Sequence, residues 1–122
     1  MQVHRSLSQL PAFRNAVLTI GTFDGVHLGH RKIIQQLVEQ AKQVNGESVL
    51  ISFDPHPRKI ISSVPGDIRL LTLLEEKIQV LEPIGIDHLV VVPFDHHFAN
   101  QTATQYIHEF IYQHFHPHTI II

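Results

Sequence analysis

Two periods alternate along this chain. Residues 16–22, Ala-Val-Leu-Thr-Ile-Gly-Thr, are a short β-branched run that ends in turn chemistry, which predicts a strand. From Leu28 the period changes. Ile33, Ile34, Leu37, Val38, Ala41 and Val44 recur at three and four with polar residues between them, which predicts an amphipathic helix. Its stop is expected at Asn45-Gly46, with the glycine left-handed. Residues 48–53, Ser-Val-Leu-Ile-Ser-Phe, predict a second strand, and Asp54-Pro55-His56-Pro57 ends it, because alternate prolines forbid regular pairing.

Residues 58–70 read as a loop. Thr72 and Glu75 stand as a capping box would, before a helix carrying Leu73, Leu74, Ile78 and Leu81 that stops near Pro83 and Gly85. Leu89 to Val92 is a third strand. Thr102 and Gln105 offer a second capping box, and Ala103, Tyr106, Ile107, Phe110 and Ile111 carry a third helix to about Phe115. Thr119 to Ile122 is a fourth strand. This alternation implies an α/β fold with a parallel sheet flanked by helices. The third and fourth strands are expected to be buried on both faces. Ligands of such sheets bind beyond the carboxyl ends of the strands. The chain stops inside an apolar strand, so 1–122 is expected to be a truncated domain with an exposed sheet edge open to self-association.

Composition narrows the classes. At 122 residues with 43% hydrophobic and 16% charged residues, one globular domain is expected. Nine basic and eleven acidic residues leave a net charge of −2, no footprint for a long nucleic acid. No run approaches the ~20 apolar residues of a membrane span, and Met1 to Arg5 lacks the apolar stretch of a signal peptide. The absence of cysteine excludes disulfides, thiolate metal sites and cysteine nucleophiles, and fits a cytoplasmic setting. Eleven histidines are scattered along the chain, so each is judged by its neighbours.

The most informative stretch runs from Gly21 to His30, Gly-Thr-Phe-Asp-Gly-Val-His-Leu-Gly-His, between the first strand and the first helix. His27 and His30 share one face of a helical first turn. The free N–H groups of that turn and the helix dipole favour an anion, and Gly25 and Gly29 leave room for its approach. Two imidazoles can each donate to phosphate oxygens. These are the parts of phosphoryl or nucleotidyl transfer. Asp54 and His56 are placed on the ligand side of the second strand, with Arg58 and Lys59 after them. His96 and His97 follow the third strand near the same rim. No Ser-His-Asp spacing supports a serine hydrolase.

The stretch resembles the HxGH signature of the adenylyl- and cytidylyltransferase superfamily. With residues 51–58 (Ile-Ser-Phe-Asp-Pro-His-Pro-Arg), 71–77 (Leu-Thr-Leu-Leu-Glu-Glu-Lys), 85–89 (Gly-Ile-Asp-His-Leu) and 92–95 (Val-Pro-Phe-Asp), it resembles the N-terminal FMN adenylyltransferase domain of bacterial bifunctional riboflavin kinase/FAD synthetase from about Val17 onward. The resemblance implies a Rossmann-like nucleotidyltransferase fold. It implies transfer of AMP from ATP to FMN, giving FAD and pyrophosphate, with Mg²⁺ present. His27 and His30 are then the catalytic candidates. Gly21, Thr22, Phe23, Asp24, Gly25 and Gly29 are the nucleotide-binding candidates, and Phe53, Asp54, His56 and Arg58 the flavin-side ones. No protein-held metal site is expected. The family continues with a glycine- and phenylalanine-rich loop, a serine-rich segment ending in arginine, and a riboflavin kinase domain, none of which is in these residues. Three readings stay open beside this one: a cytidylyltransferase, an inactive nucleotide-binding fragment, and a zinc-binding histidine protein.

Overall fold

The computed structural model describes residues 1–21, 28–54 and 68–121. Five strands form one parallel sheet: β1 (Gln2–His4), β2 (Val17–Ile20), β3 (Ser48–Asp54), β4 (His88–Pro93) and β5 (Thr119–Ile121). Their spatial order is β1-β4-β3-β2-β5. The α/β parallel-sheet class read from the alternation is what the chain forms. The expected strands are β2 to β5, and β1 is an addition to them.

Helices cover both faces. α1 (Leu28–Gln43) and α2 (Ile68–Leu81) follow β2 and β3. Ile34, Leu37, Ala41 and Leu81 pack with Val17, Leu50, Leu89 and Val91 in one apolar cluster. On the opposite face Leu18, Val49, Ile51, Val90 and Val92 pack against Phe110, Ile111 and Phe115. Phe110 and Ile111 belong to a π-helix (Gln105–Tyr112), which an α-helical turn (Gln113–Phe115) closes. Leu7, Leu10 and Phe13, from the segment after β1, complete that face. The side switch has a topological cause. The chain steps from β2 to β3 to β4 in one direction, then returns past β2 to place β5 on its other side. Right-handed crossovers then require the returning helix to lie on the other face.

Several local expectations are corrected. The left-handed residue after α1 is Asn45 (φ 52°), not Gly46. Gly46 N–H donates to Ala41 C=O at 2.7 Å and Asn45 N–H to Lys42 C=O at 3.2 Å, a Schellman closure with Asn45 at the left-handed position. Gly46 has another reason to be glycine: a Cβ there would lie 2.2 Å from the Asn15 carbonyl oxygen. α2 begins at Ile68, so Thr72 is interior to it and the box with Glu75 does not start the helix. Lys77 of α2 is half-buried and donates to Ser52 Oγ at 3.3 Å. A short helix, α3 (His96–Ala99), precedes the Thr102 box and is capped by Asp95, whose Oδ1 accepts from Phe98 N–H at 2.8 Å.

The box at Thr102 and Gln105 forms in both directions, at 3.0 and 3.1 Å. The helix after it is not the expected α-helix. Its π-winding brings residues five apart onto one face. Phe110 and Ile111 are therefore buried while Ile107 is 55% exposed. β4 is buried on both faces as expected, but β5 is not: Ile120 is 43% exposed. β5 lies at the sheet edge beside β2 alone, and the buried strand residues of both apolar clusters come from β2, β3 and β4, with Ile121 of β5 only partly buried against one of them.

Candidate functional site

Parallel strands aim all their carboxyl ends at one rim. The order reverses between β3 and β5, which flank β2, so the loop after β2 leaves the sheet at its switch point. Ligands of open α/β sheets bind in the crevice at that place. Gly21 is the residue that leaves β2, and its N–H donates to Ile51 C=O of β3 at 3.0 Å, which pins the start of the loop against the neighbouring strand.

The two described ends of the glycine- and histidine-bearing stretch, Gly21 and Leu28 to His30, lie at this point. Gly29 and His30 fall in the first turn of α1, at the rim, and that turn holds no acidic residue. The first N–H groups of a sixteen-residue helix have no partners within it, and the dipole adds partial positive charge at the same place. Thr22, Phe23, Asp24, Gly25 and His27 lie outside the described residues, as do His56 and Arg58. Asp54 is the last residue of β3, paired in register with Pro93 of β4.

Phe53 is half-buried at the rim, on the face opposite α1. The sequence offered it with Asp54, His56 and Arg58, and with no second ring on the flavin side. The fold surrounds it with two further half-buried rings, Phe94 at 5.4 Å and Phe98 at 5.5 Å between centroids. Phe94 and Phe98 are themselves 5.5 Å apart, and Phe98 meets Phe110 edge-on at 4.9 Å. Tyr106 adjoins the cluster, and burial pushes its hydroxyl pKa up, so it stays a neutral phenol. The signal for Phe94 and Phe98 was present in the sequence as aromatics just after an apolar strand. Their convergence on Phe53 needed the β3–β4 pairing. The rim therefore offers an anion-favouring helix start on one face of the sheet and an aromatic wall on the other. That combination suits a ligand with both a phosphate and a flat ring system.

His96 and His97 are exposed beside this wall. Among the described residues no three histidine, aspartate or glutamate side chains converge as metal ligands would. The described residues thus offer Mg²⁺ no cage, and Mg²⁺ ordinarily binds nucleotide sites through phosphate oxygens and water with one or two carboxylates. An open depression of about 390 Å³ lies at the other end of the sheet between Gln2, Glu47, Glu82 and Asp87. Size does not make it the ligand site, because no residue lining it follows the carboxyl end of a strand.

Comparison with known proteins covers nearly the whole chain. Residues 10–122 match the family model described as FAD synthetase. The chain is 38% identical over 109 residues to the bifunctional riboflavin kinase/FMN adenylyltransferase of Escherichia coli (strain K12), covering 89% of this chain and 34% of that protein. It is 34% identical over 117 residues to the protein of the same name from Haemophilus influenzae, covering 95% of this chain and 38% of that one. The chain thus spans about a third of the length of these curated relatives. A solved structure named as a macrolide-efflux protein from Streptococcus pneumoniae superposes with a TM-score of 0.69 at 21% identity, over 87% of this chain and 36% of that one; this likeness concerns the fold alone. Among the described residues no helix is long and apolar enough to cross a membrane.

Proposed function

The chain belongs to the FAD synthetase family, and from that premise we propose that it forms part of an FMN adenylyltransferase domain whose parent protein also phosphorylates riboflavin. The observation that carries this reading is the position of Gly29 and His30 in the first turn of α1, at the switch point of the sheet. The reaction joins FMN to AMP. A phosphate oxygen of FMN attacks the α-phosphorus of ATP, the bridging bond to the β-phosphate breaks, and pyrophosphate leaves with that electron pair.

In this reading the N–H groups of the α1 first turn, with His27 and His30, donate to the phosphates as negative charge builds during transfer. Gly21, Gly25 and Gly29 let the backbone approach the nucleotide, with Thr22, Phe23 and Asp24 beside it. The flavin lies toward Phe53, Phe94 and Phe98, with Asp54, His56 and Arg58 closing its side. Mg²⁺, when bound with ATP, supplies charge neutralisation of the phosphates. The reading places the reaction in the cytoplasm, in keeping with a chain that carries no cysteine. The partners are small molecules and not a long nucleic acid, and the β5 edge offers copies of the chain a place to associate.

Calorimetric titration with Mg-ATP tests the reading, with His30→Ala as control. Binding that disappears in the variant supports a phosphate site at the turn. FAD formation by the full-length protein, with ATP preferred over CTP, completes the case and separates it from cytidylyl transfer. Turnover that survives His30→Ala at near-normal rate would remove His30 from the mechanism. A full-length protein that makes no FAD would overturn the whole reading.

A further inference from the structure

Around the amino end of β4 lies a chain of titratable side chains that the proposed reaction does not use. Glu47, just before β3, lies with its Oε1 3.0 Å from His88 Nε2, and His88 Nδ1 lies 2.9 Å from His4 Nε2. His88 is 5% exposed and sits in the well-paired strand β4; His4 closes β1, an edge strand of three residues. Phe13 covers both imidazoles, with its ring 4.8 Å from His88 and 6.0 Å from His4 between centroids. It also stacks on Phe115 at 5.8 Å, so this cover is continuous with the core. The other charged groups around the chain are Arg14, whose backbone N–H donates to Glu47 Oε2 at 2.7 Å, and Asp87, whose carboxylate accepts from Ser48. Glu82 and the N-terminal residue Met1 line the depression beside them.

Hydrogen counting sets how many protons this chain can hold. With both imidazoles neutral, His88 donates from Nε2 to Glu47 and accepts at Nδ1 from His4 Nε2–H. One added proton is accommodated, either on the far nitrogen of His4 or on His88, which then donates to His4. A second added proton puts N–H groups on both facing nitrogens. Two donors cannot share a 2.9 Å contact, and two imidazolium charges also repel there. Phe13 limits the water that could screen them. The rings must part, and β1 is the element able to move, because β4 is paired on both edges.

We propose that the Glu47–His88–His4 chain is an acid-released latch, which holds β1 and the segment 5–15 on the sheet until both imidazoles are protonated. Burial, and then the charge of His88, lower the His4 pKa below its ordinary value, as a ring held for its neutral form requires.

Nitrogen-resolved NMR of the two imidazoles, combined with amide exchange, tests the latch in the intact chain between pH 7.5 and 4.5. Exchange is corrected for its intrinsic pH dependence and referenced to the β2–β3 amides. Protection in β1 is expected to fall about two- to tenfold further than the reference as the second imidazole protonates, the effect of one ordinary hydrogen bond. In His4→Gln the side-chain amide still donates to His88 but does not titrate, so the extra loss should vanish. β1 protection that stays level while both rings become cationic would overturn the proposal, and so would an equal loss in His4→Gln. The ring spectra of the unaltered protein decide the matter even if the variant folds poorly.

Discussion

At the carboxyl rim of the sheet, the described polar groups at the start of α1 are backbone N–H groups, with Phe53, Phe94 and Phe98 on the opposite face of the sheet. At the amino ends the polar groups are side chains already bonded to one another. Asp87 Oδ2 accepts from Ser48 N–H and Oγ–H, and Ser48 Oγ accepts from Asp87 N–H. Glu47, His88 and His4 form a second network beside it. The proposed binding end keeps donors that the helix cannot satisfy internally, while the amino end satisfies its own. The two ends of one parallel sheet therefore differ in how they are expected to fail.

The largest effect is expected at the amino end. Phe115 is 1% exposed and backs both Phe13 and Phe110. Phe115→Ala should cost about 3–5 kcal/mol in urea unfolding; a cost within experimental error of zero would break the contrast. Next comes His30→Ala in the full-length protein. It should slow FAD formation about 10²–10³-fold, as removal of one transition-state donor does, and leave the unfolding midpoint unchanged. Asp87→Ala should cost about 1–3 kcal/mol, because the buried Ser48 N–H loses its acceptor, yet folded protein should keep its turnover rate. Equal losses of turnover and stability would show that the two ends are not separable.

The smallest effect is with pH. His4 titrates below its ordinary value because of burial and His88. Burial pushes the Glu47 carboxyl up, but the His88 and Arg14 hydrogen bonds and charges bring it below its ordinary value. Both groups hold protons less tightly folded than unfolded, so the unfolded chain takes up more protons and stability falls with pH. The fall should begin as pH drops through about 6.5 with His4, and continue below about 4.5 with Glu47. Melting midpoints across this range read both steps, and His4→Gln should remove the upper one.

The sheet was legible where apolar runs are long. β2, β3 and β4 carry their own pattern, and α1 shows its period without help. β1 was not legible, because Gln2-Val3-His4 has one apolar residue and becomes a strand only by lying along His88 to Val90. The π-winding was hidden because Tyr106, Phe110 and Ile111 fit either helix, and only the exposure of Ile107 separates them. At the candidate site, the Gly21 to His30 stretch predicted a helix start soon after β2, which α1 provides, but not that β2 would stand at the switch point. Strand order is set by the return of the chain to β5, which no local spacing encodes.

The pairing of His4 with a ring 84 residues further on also bears on how the chain is made. At ~5–20 residues per second, a ribosome needs about 4–17 s to deliver that partner after the first strand has emerged. β2, α1 and β3 can assemble in that interval, while β1 waits as a short, mostly polar ribbon with little to offer a wrong neighbour. A strand made long before its partner gains from being written in glutamine and histidine.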